Sequence, residues 1–305
     1  MKVNTKLHSF YLFLAACIWG MAFVAQSKGM EYMDPFTFNG VRCLIGAVVL
    51  FIFILVRNKI SGRSLKEIDW KVTGLGGLSC GLFLTFASML QQYGIVYTTV
   101  GKAGFITTLY IIFVPITGIF FRRKVSNIVW IAAVMAAIGM YLLCMTESFA
   151  LSKGDTYVFL CALFFTGHIM VIDYFSPKTD GVVISCIQFA VSGILCTIAA
   201  FVWGNPAWSQ ITSGISTLLY AGIMSCGVAY TLQIVGQRGV NPTVAALLMS
   251  LESVVATVAG VIAFKIGFLE TDQTMTVRQI LGCGIVFAAV LLVQMPTNWF
   301  EKRKA

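Results

Sequence analysis

The residues of this chain that could do chemistry are few, and most lie inside long apolar runs. Glu252 is the sharpest case. It stands ten residues past Pro242, about 15 Å along a helix and so roughly half of a bilayer's hydrocarbon thickness. Ala245, Met249, Glu252, Ala256 and Gly260 recur at spacings of three and four, which puts them on one helix face. That face is mostly small, the kind that packs on another helix or lines a cavity rather than meeting lipid. A carboxylate in such a place is costly and is by default a functional site. It could bind an amine or carry a coupling proton; the competing role is a structural hydrogen bond to a neighbouring helix.

Other polar residues are weighed in the same way. Arg42 stands about two turns into its apolar run, where it could attract an anionic group or snorkel to the surface. His168 sits in mid-run and could relay protons, although a lone membrane histidine more often serves as a neutral interhelical hydrogen-bonder. Tyr230, Gln233 and Gln237 recur at three and four, a polar stripe that lipid would tolerate badly. Gln91, Gln92 and Gln188 offer similar amide chemistry, for a solute or as glue between helices. Trp19 and Tyr110 could form aromatic walls of a cavity or simply pack. Pro115 removes one backbone donor, and the pairs Gly77/Gly81 and Ala256/Gly260 are close-packing signals without chemistry.

The elements that must position these residues follow from composition. Of 305 residues, 58% are hydrophobic and 11% charged, and the mean hydropathy of +0.88 is far from that of a soluble domain. Ten candidate spans can be drawn, Phe10–Ala25, Pro35–Val56, Val72–Leu90, Gly104–Phe121, Ile128–Met145, Tyr157–Tyr174, Val182–Val202, Ile215–Val235, Pro242–Phe264 and Ile280–Met295. Each is long enough to cross a bilayer as a helix, and the linkers leave no room for a soluble domain. The first run continues past Cys17 through Trp19, Phe23 and Val24, so it reads as a retained helix rather than a cleaved leader. The nine cysteines are scattered through the apolar runs without C-x-x-C spacing, as small core residues and not as disulfides or metal ligands. The net charge of +9 is spread in short clusters between spans, which is topological information rather than a nucleic-acid face.

With both termini in the cytoplasm, Lys and Arg divide fifteen inside to five outside, the bias expected of a multi-pass protein of the cell (inner or plasma) membrane. The two halves, 1–146 and 147–305, look related. A shift of 146 residues sets Leu14, Ala16, Trp19, Asp34 and Arg42 against Leu160, Ala162, Phe165, Asp180 and Gln188, and a slightly different shift sets Gln91–Gly94 against Gln233–Gly236. Two halves of five helices each insert with opposite orientation, a recurring plan of secondary transporters with the site near the midplane between them. The expected fold is an all-α polytopic membrane protein of ten transmembrane helices in two inverted five-helix repeats.

Several fragments carry a family resemblance: Ala16-Cys17-Ile18-Trp19-Gly20 with Phe23-Val24, Arg42, Gly101-Lys102-Ala103-Gly104-Phe105-Ile106-Thr107, and Leu251-Glu252-Ser253-Val254. In this order, from about Tyr11 to Met295, the chain resembles the EamA-type drug/metabolite transporter superfamily. The resemblance implies a ten-helix inverted-repeat carrier, usually an exporter of amino acids or other small metabolites, with the fifth and tenth helices peripheral. A Gly-Glu pair common in the family soon after the ninth helix is replaced here by Lys265-Ile266-Gly267-Phe268-Leu269-Glu270-Thr271-Asp272, so no role passes to Glu270.

The sequence has no Walker loop, H-E-x-x-H or G-x-S-x-G motif, and its only histidines are His8 and His168, so neither an enzyme nor a nucleotide-driven pump is expected. A channel would need a ring or filter of like residues, which the sequence lacks. The expectation is a secondary-active exporter without cofactor or metal. Its candidate binding or coupling residues are Glu252, Arg42, Tyr230, Gln233, His168, Trp19, Gln92 and Tyr110. Its partners would be a small-molecule substrate, a proton or counter-solute and the lipid bilayer, with a homodimer left open. The alternatives are an intramembrane enzyme and a non-transporting membrane partner protein.

Overall fold

Hydropathy marks where a chain crosses hydrocarbon, whereas helices end where their last backbone groups find other partners. In the computed structural model, which describes residues 5–62, 68–121, 126–144, 152–270 and 274–294, this difference lengthens most of the expected spans. Helix α1 covers Thr5–Gly29 and α2 covers Pro35–Ser61. The Asp34 carboxylate caps α2 by accepting from the N–H of Phe36 and Thr37 at 2.9 and 3.0 Å, with Pro35 at the first position, where a missing donor costs little. Its other end stops at Gly62, in the left-handed region at φ 65°. Asp69 caps α3 (Trp70–Ile95), and α4 (Val100–Thr107), α5 (Tyr110–Phe120) and α6 (Asn127–Cys144) follow.

The second half begins with α7 (Lys153–Phe175), opened by a Ser152/Asp155 capping box, and α8 (Gly181–Trp203), capped by Asp180. Then come α9 (Trp208–Ser213), α10 (Ile215–Leu219), a π-helical segment (Tyr220–Ala229) and α11 (Tyr230–Gln237). The chain ends with α12 (Pro242–Met249), α13 (Leu251–Lys265) and α14 (Val277–Gln294). Among the described residues there is no strand. Eight helical stretches are long and apolar enough to cross a membrane, and α6 and α14 supply two shorter apolar helices. The junction between the two halves, the span ends Met145 and Met295, and the charges Lys2, Arg63, Lys66, Arg122, Arg123, Lys124, Lys302, Arg303 and Lys304 lie outside the described residues.

The expected fourth and ninth spans each contain a break. At Thr108–Leu109 the backbone bonds tighten to three-residue steps, Leu109 N–H to Ile106 C=O (3.2 Å) and Ile111 N–H to Thr108 C=O (3.0 Å). Pro115, which removes one backbone donor, lies inside α5, beyond the break. At Ser250 the hydroxyl bonds back to Leu247 C=O (2.7 Å), and Ser253 Oγ donates to Ser250 C=O (2.8 Å). Such back-bonding bends helices. A shift of 142 residues carries α4, Val100–Thr107, onto α12, Pro242–Met249, and Tyr110 onto Glu252.

Packing has the same two-fold character. Helix α2 lies against α8, and α6 against α14. The first helix of each half is inserted in the other half: α1 packs on α11 and α13, while α7 packs on α3, α4 and α5. Small residues allow these approaches. A Cβ on Gly77 would stand 2.5 Å from Ile187 of α8, and one on Gly94 would stand 2.9 Å from the Gly154 carbonyl of α7. Large apolar side chains such as Phe51, Phe53, Phe86 and Ile198 stay exposed on the outside. The chain is an all-α polytopic membrane protein.

Candidate functional site

The two breaks and the π-helical segment contribute residues to one central cavity. Thr107 and Tyr110 reach it from either side of the α4–α5 break, and Met249 and Glu252 from either side of the α12–α13 break. Helix α1 contributes Trp19, Phe23 and Gln26; α2 contributes Arg42; α3 contributes Gln91; α7 contributes Phe165 and Ile169. Ser225 comes from the π-helical segment, and Tyr230 and Gln233 from α11. The missing side chain of Gly222 allows the close seat of that segment on α2, since a Cβ there would stand 3.0 Å from the Arg42 carbonyl.

Polar groups on the walls hold one another. Tyr110 Oη donates to Glu252 Oε1 at 2.9 Å, so the carboxylate is fixed by the residue at the corresponding place of the other half. Arg42 Nη1 donates to Gln26 Oε1 at 3.0 Å, and its guanidinium lies 5.6 Å from the Phe38 ring centre. Gln91 Nε2 donates to Thr107 Oγ1 at 3.1 Å. Trp19 and Tyr230 meet edge to face at 4.7 Å. Trp19 Nε1, Arg42 Nε and Gln233 Oε1 are buried with no partner in the protein. Unpaired groups of this kind cost about 1–3 kcal/mol each unless a ligand or water engages them.

Six of the residues singled out in the sequence, Glu252, Arg42, Tyr230, Gln233, Trp19 and Tyr110, therefore face one cavity. Glu252 and Arg42 share it without forming an ion pair. His168 and Gln92 stand behind the wall. His168 is fully buried, with Nε2 3.0 Å from Gln188 Oε1 and its ring against Tyr230, while Gln92 Nε2 donates to the Gln26 carbonyl at 3.2 Å. The pairs Gln26–Arg42 and His168–Gln188 each join the first and second helix of one half.

Sequence reasoning missed Gln26, Ser225 and Ile169; it quoted Phe23, Thr107 and Phe165 only in motifs or in the repeat, set Met249 on the Glu252 face, and weighed Gln91 for a solute or as glue without including it in the candidate set. Gln26 carried a readable signal, a polar residue continuing the face of Trp19 and Phe23, but it lies one residue beyond the expected end of the first span. The described cysteines are free thiols, and no group of three metal-binding side chains occurs among the described residues.

Comparison with known proteins matches this architecture. The profile of the EamA-like transporter family fits residues 7–145 and again residues 152–295. The chain is similar to an uncharacterized transporter of Archaeoglobus fulgidus, 28% identical over 93% of this chain and 84% of that one. It is also similar to the uncharacterized transporter YwfM of Bacillus subtilis, 25% identical over 96% and 95% of the two chains. Protein PecM of Dickeya dadantii is 22% identical over 96% and 94%. A protein of known crystal structure superposes with a TM-score of 0.73 at 16% identity, covering 94% of this chain and 96% of that one, a likeness of fold alone. This multi-pass membrane protein belongs to the EamA-like transporter family.

Proposed function

We propose that the chain is a secondary-active carrier that exports small metabolites such as amino acids, in exchange for or together with a proton or counter-solute. It lies in the cell membrane with both termini in the cytoplasm, following its Lys and Arg bias. The halves 1–146 and 147–305 rock about the central cavity so that it meets one face of the membrane and then the other.

One observation carries this reading. A carboxylate and a guanidinium, 5% and 4% exposed, face one cavity without neutralising each other. A zwitterion satisfies both. Its carboxylate takes the N–H groups of Arg42, which form charge-assisted bonds, and its ammonium group takes Glu252. The amides of Gln26, Gln91 and Gln233 and the hydroxyls of Tyr110 and Ser225 offer hydrogen bonds, and the aromatic rings exclude bulk water. Glu252 alternates between the substrate amine and a proton.

The test is counterflow in proteoliposomes preloaded with a metabolite pool, with labelled amino acids and nucleosides outside, at two pH values. Saturable exchange of one class is expected, and Glu252→Gln abolishes most of it while the protein still folds and inserts. Wild-type rates in that variant remove Glu252 from the mechanism. A chemically altered product would indicate an enzyme, and folded protein without exchange of any solute would indicate a non-transporting partner.

A further inference from the structure

The cavity accounts for Tyr230 and Gln233 but not for the last member of their stripe. Gln237 lies one turn beyond Gln233 on α11, toward the end of the bundle that holds the start of α1. It is 1% exposed, and neither Nε2 nor Oε1 of its amide has a protein partner. On α1, which faces the neighbouring Gly236, His8 Nδ1 is also buried without a partner. The two helices touch at Gly236, where a Cβ would stand 3.0 Å from the His8 carbonyl. Interhelical glue would pair at least one of these amide atoms, as Gln92 Nε2 is paired to the Gln26 carbonyl. Gln237 is instead a buried amide kept at a cost, in line with Gln233 on the cavity wall.

We propose that Gln233 and Gln237 line a polar route between the cavity and this end of the bundle, closed here by the contact of α1 with α11 at Gly236. When α1 moves off α11, the two amides hydrogen-bond water and small polar solutes in passage. The inference rests on the carrier reading above, since a route that opens and closes needs two states. Ile234 provides the internal control. It is on the same helix turn and fully buried, but packs among Cys80, Ile172 and Ile184.

Gln237→Cys and Ile234→Cys, placed singly in the full chain in proteoliposomes, are treated with a charged methanethiosulfonate and read by the mass of the peptide carrying each position. A charged reagent needs water at the thiol, so position 237 is modified and position 234 is not. No modification at 237, or equal modification at both, overturns the route. Gln237→Leu is the second arm. Losing an unpaired buried amide leaves the thermal midpoint unchanged or raised, while counterflow slows at least about tenfold, roughly 1.4 kcal/mol on the barrier. A Leu variant that unfolds earlier marks Gln237 as glue and overturns the route as well. Labelling needs no solute flux, so a labelled protein that exchanges nothing would count against the carrier reading and not against the wetted stripe.

Discussion

Tyr110 and Glu252 occupy corresponding places in the two halves, yet one is a phenol and the other a carboxylate, and they bond to each other at 2.9 Å. The near-symmetric backbone thus presents an asymmetric pair at its centre. Tyr110→Phe keeps the ring, which is 3% exposed, and removes only the hydroxyl donor. A hydrogen bond contributes about 1 kcal/mol net, somewhat more when one partner is charged, so exchange should fall by roughly fivefold. That loss is smaller than for Glu252→Gln, because the carboxylate itself remains. Equal losses in the two variants would mean that the phenol, and not the carboxylate, meets the solute. Glu252 was legible in the sequence because a charge in an apolar run stands out. Tyr110 was also singled out, as an aromatic wall, but its bond to Glu252 was not legible, because 142 residues separate the two and no local pattern links them.

At the scale of elements, the apolar runs and their order were legible, since twenty residues of hydrocarbon-facing helix leave a plain record in composition. The breaks at Thr108–Leu109 and Ser250 were not. They arise from a choice between backbone and side-chain hydrogen bonds within one turn, which threonines and serines elsewhere in the chain make without breaking a helix. The π-helical segment was equally hidden. Glycines of the two kinds look alike in the sequence and differ in the fold. Gly20 brings α1 onto α13 beside the site, where a Cβ would stand 2.4 Å from Val255 and 2.8 Å from the Glu252 carbonyl, whereas a Cβ on Gly74 of α3 meets nothing within 4 Å. Gly20→Ala is therefore overpacked and should cost about 1–3 kcal/mol. Gly74→Ala should be neutral or stabilising by about 0.5–1 kcal/mol through helix propensity. Thermal unfolding in detergent reads both. A Gly20→Ala protein as stable as the parent would mean that α1 and α13 are not held in this contact.

At the scale of the whole molecule, two ion pairs tie the first half to the second at opposite ends of the bundle. Lys102 of α4 reaches Asp155 of α7 at 2.6 Å, and Arg57 of α2 reaches Asp180 at the start of α8 at 2.8 Å. They are not equivalent. Asp155 is fully buried and also accepts from Thr98 Oγ1 (3.2 Å) and the Ser152 N–H (2.8 Å), whereas both partners of the second pair are 21% exposed. Removing one member of a buried pair leaves an uncompensated charge and costs about 3–5 kcal/mol, whereas an exposed pair contributes about 0–1 kcal/mol. Lys102→Met should thus lower thermal stability far more than Arg57→Gln, and adding Asp155→Asn to Lys102→Met should restore much of the loss by removing the stranded carboxylate. A double variant as unstable as Lys102→Met alone would mean that the lysine acts through packing and not through charge. The expected result makes the Lys102 end the firmer closure; on the carrier reading proposed above, rocking of the halves would start from the Arg57 end, where the tie is weaker.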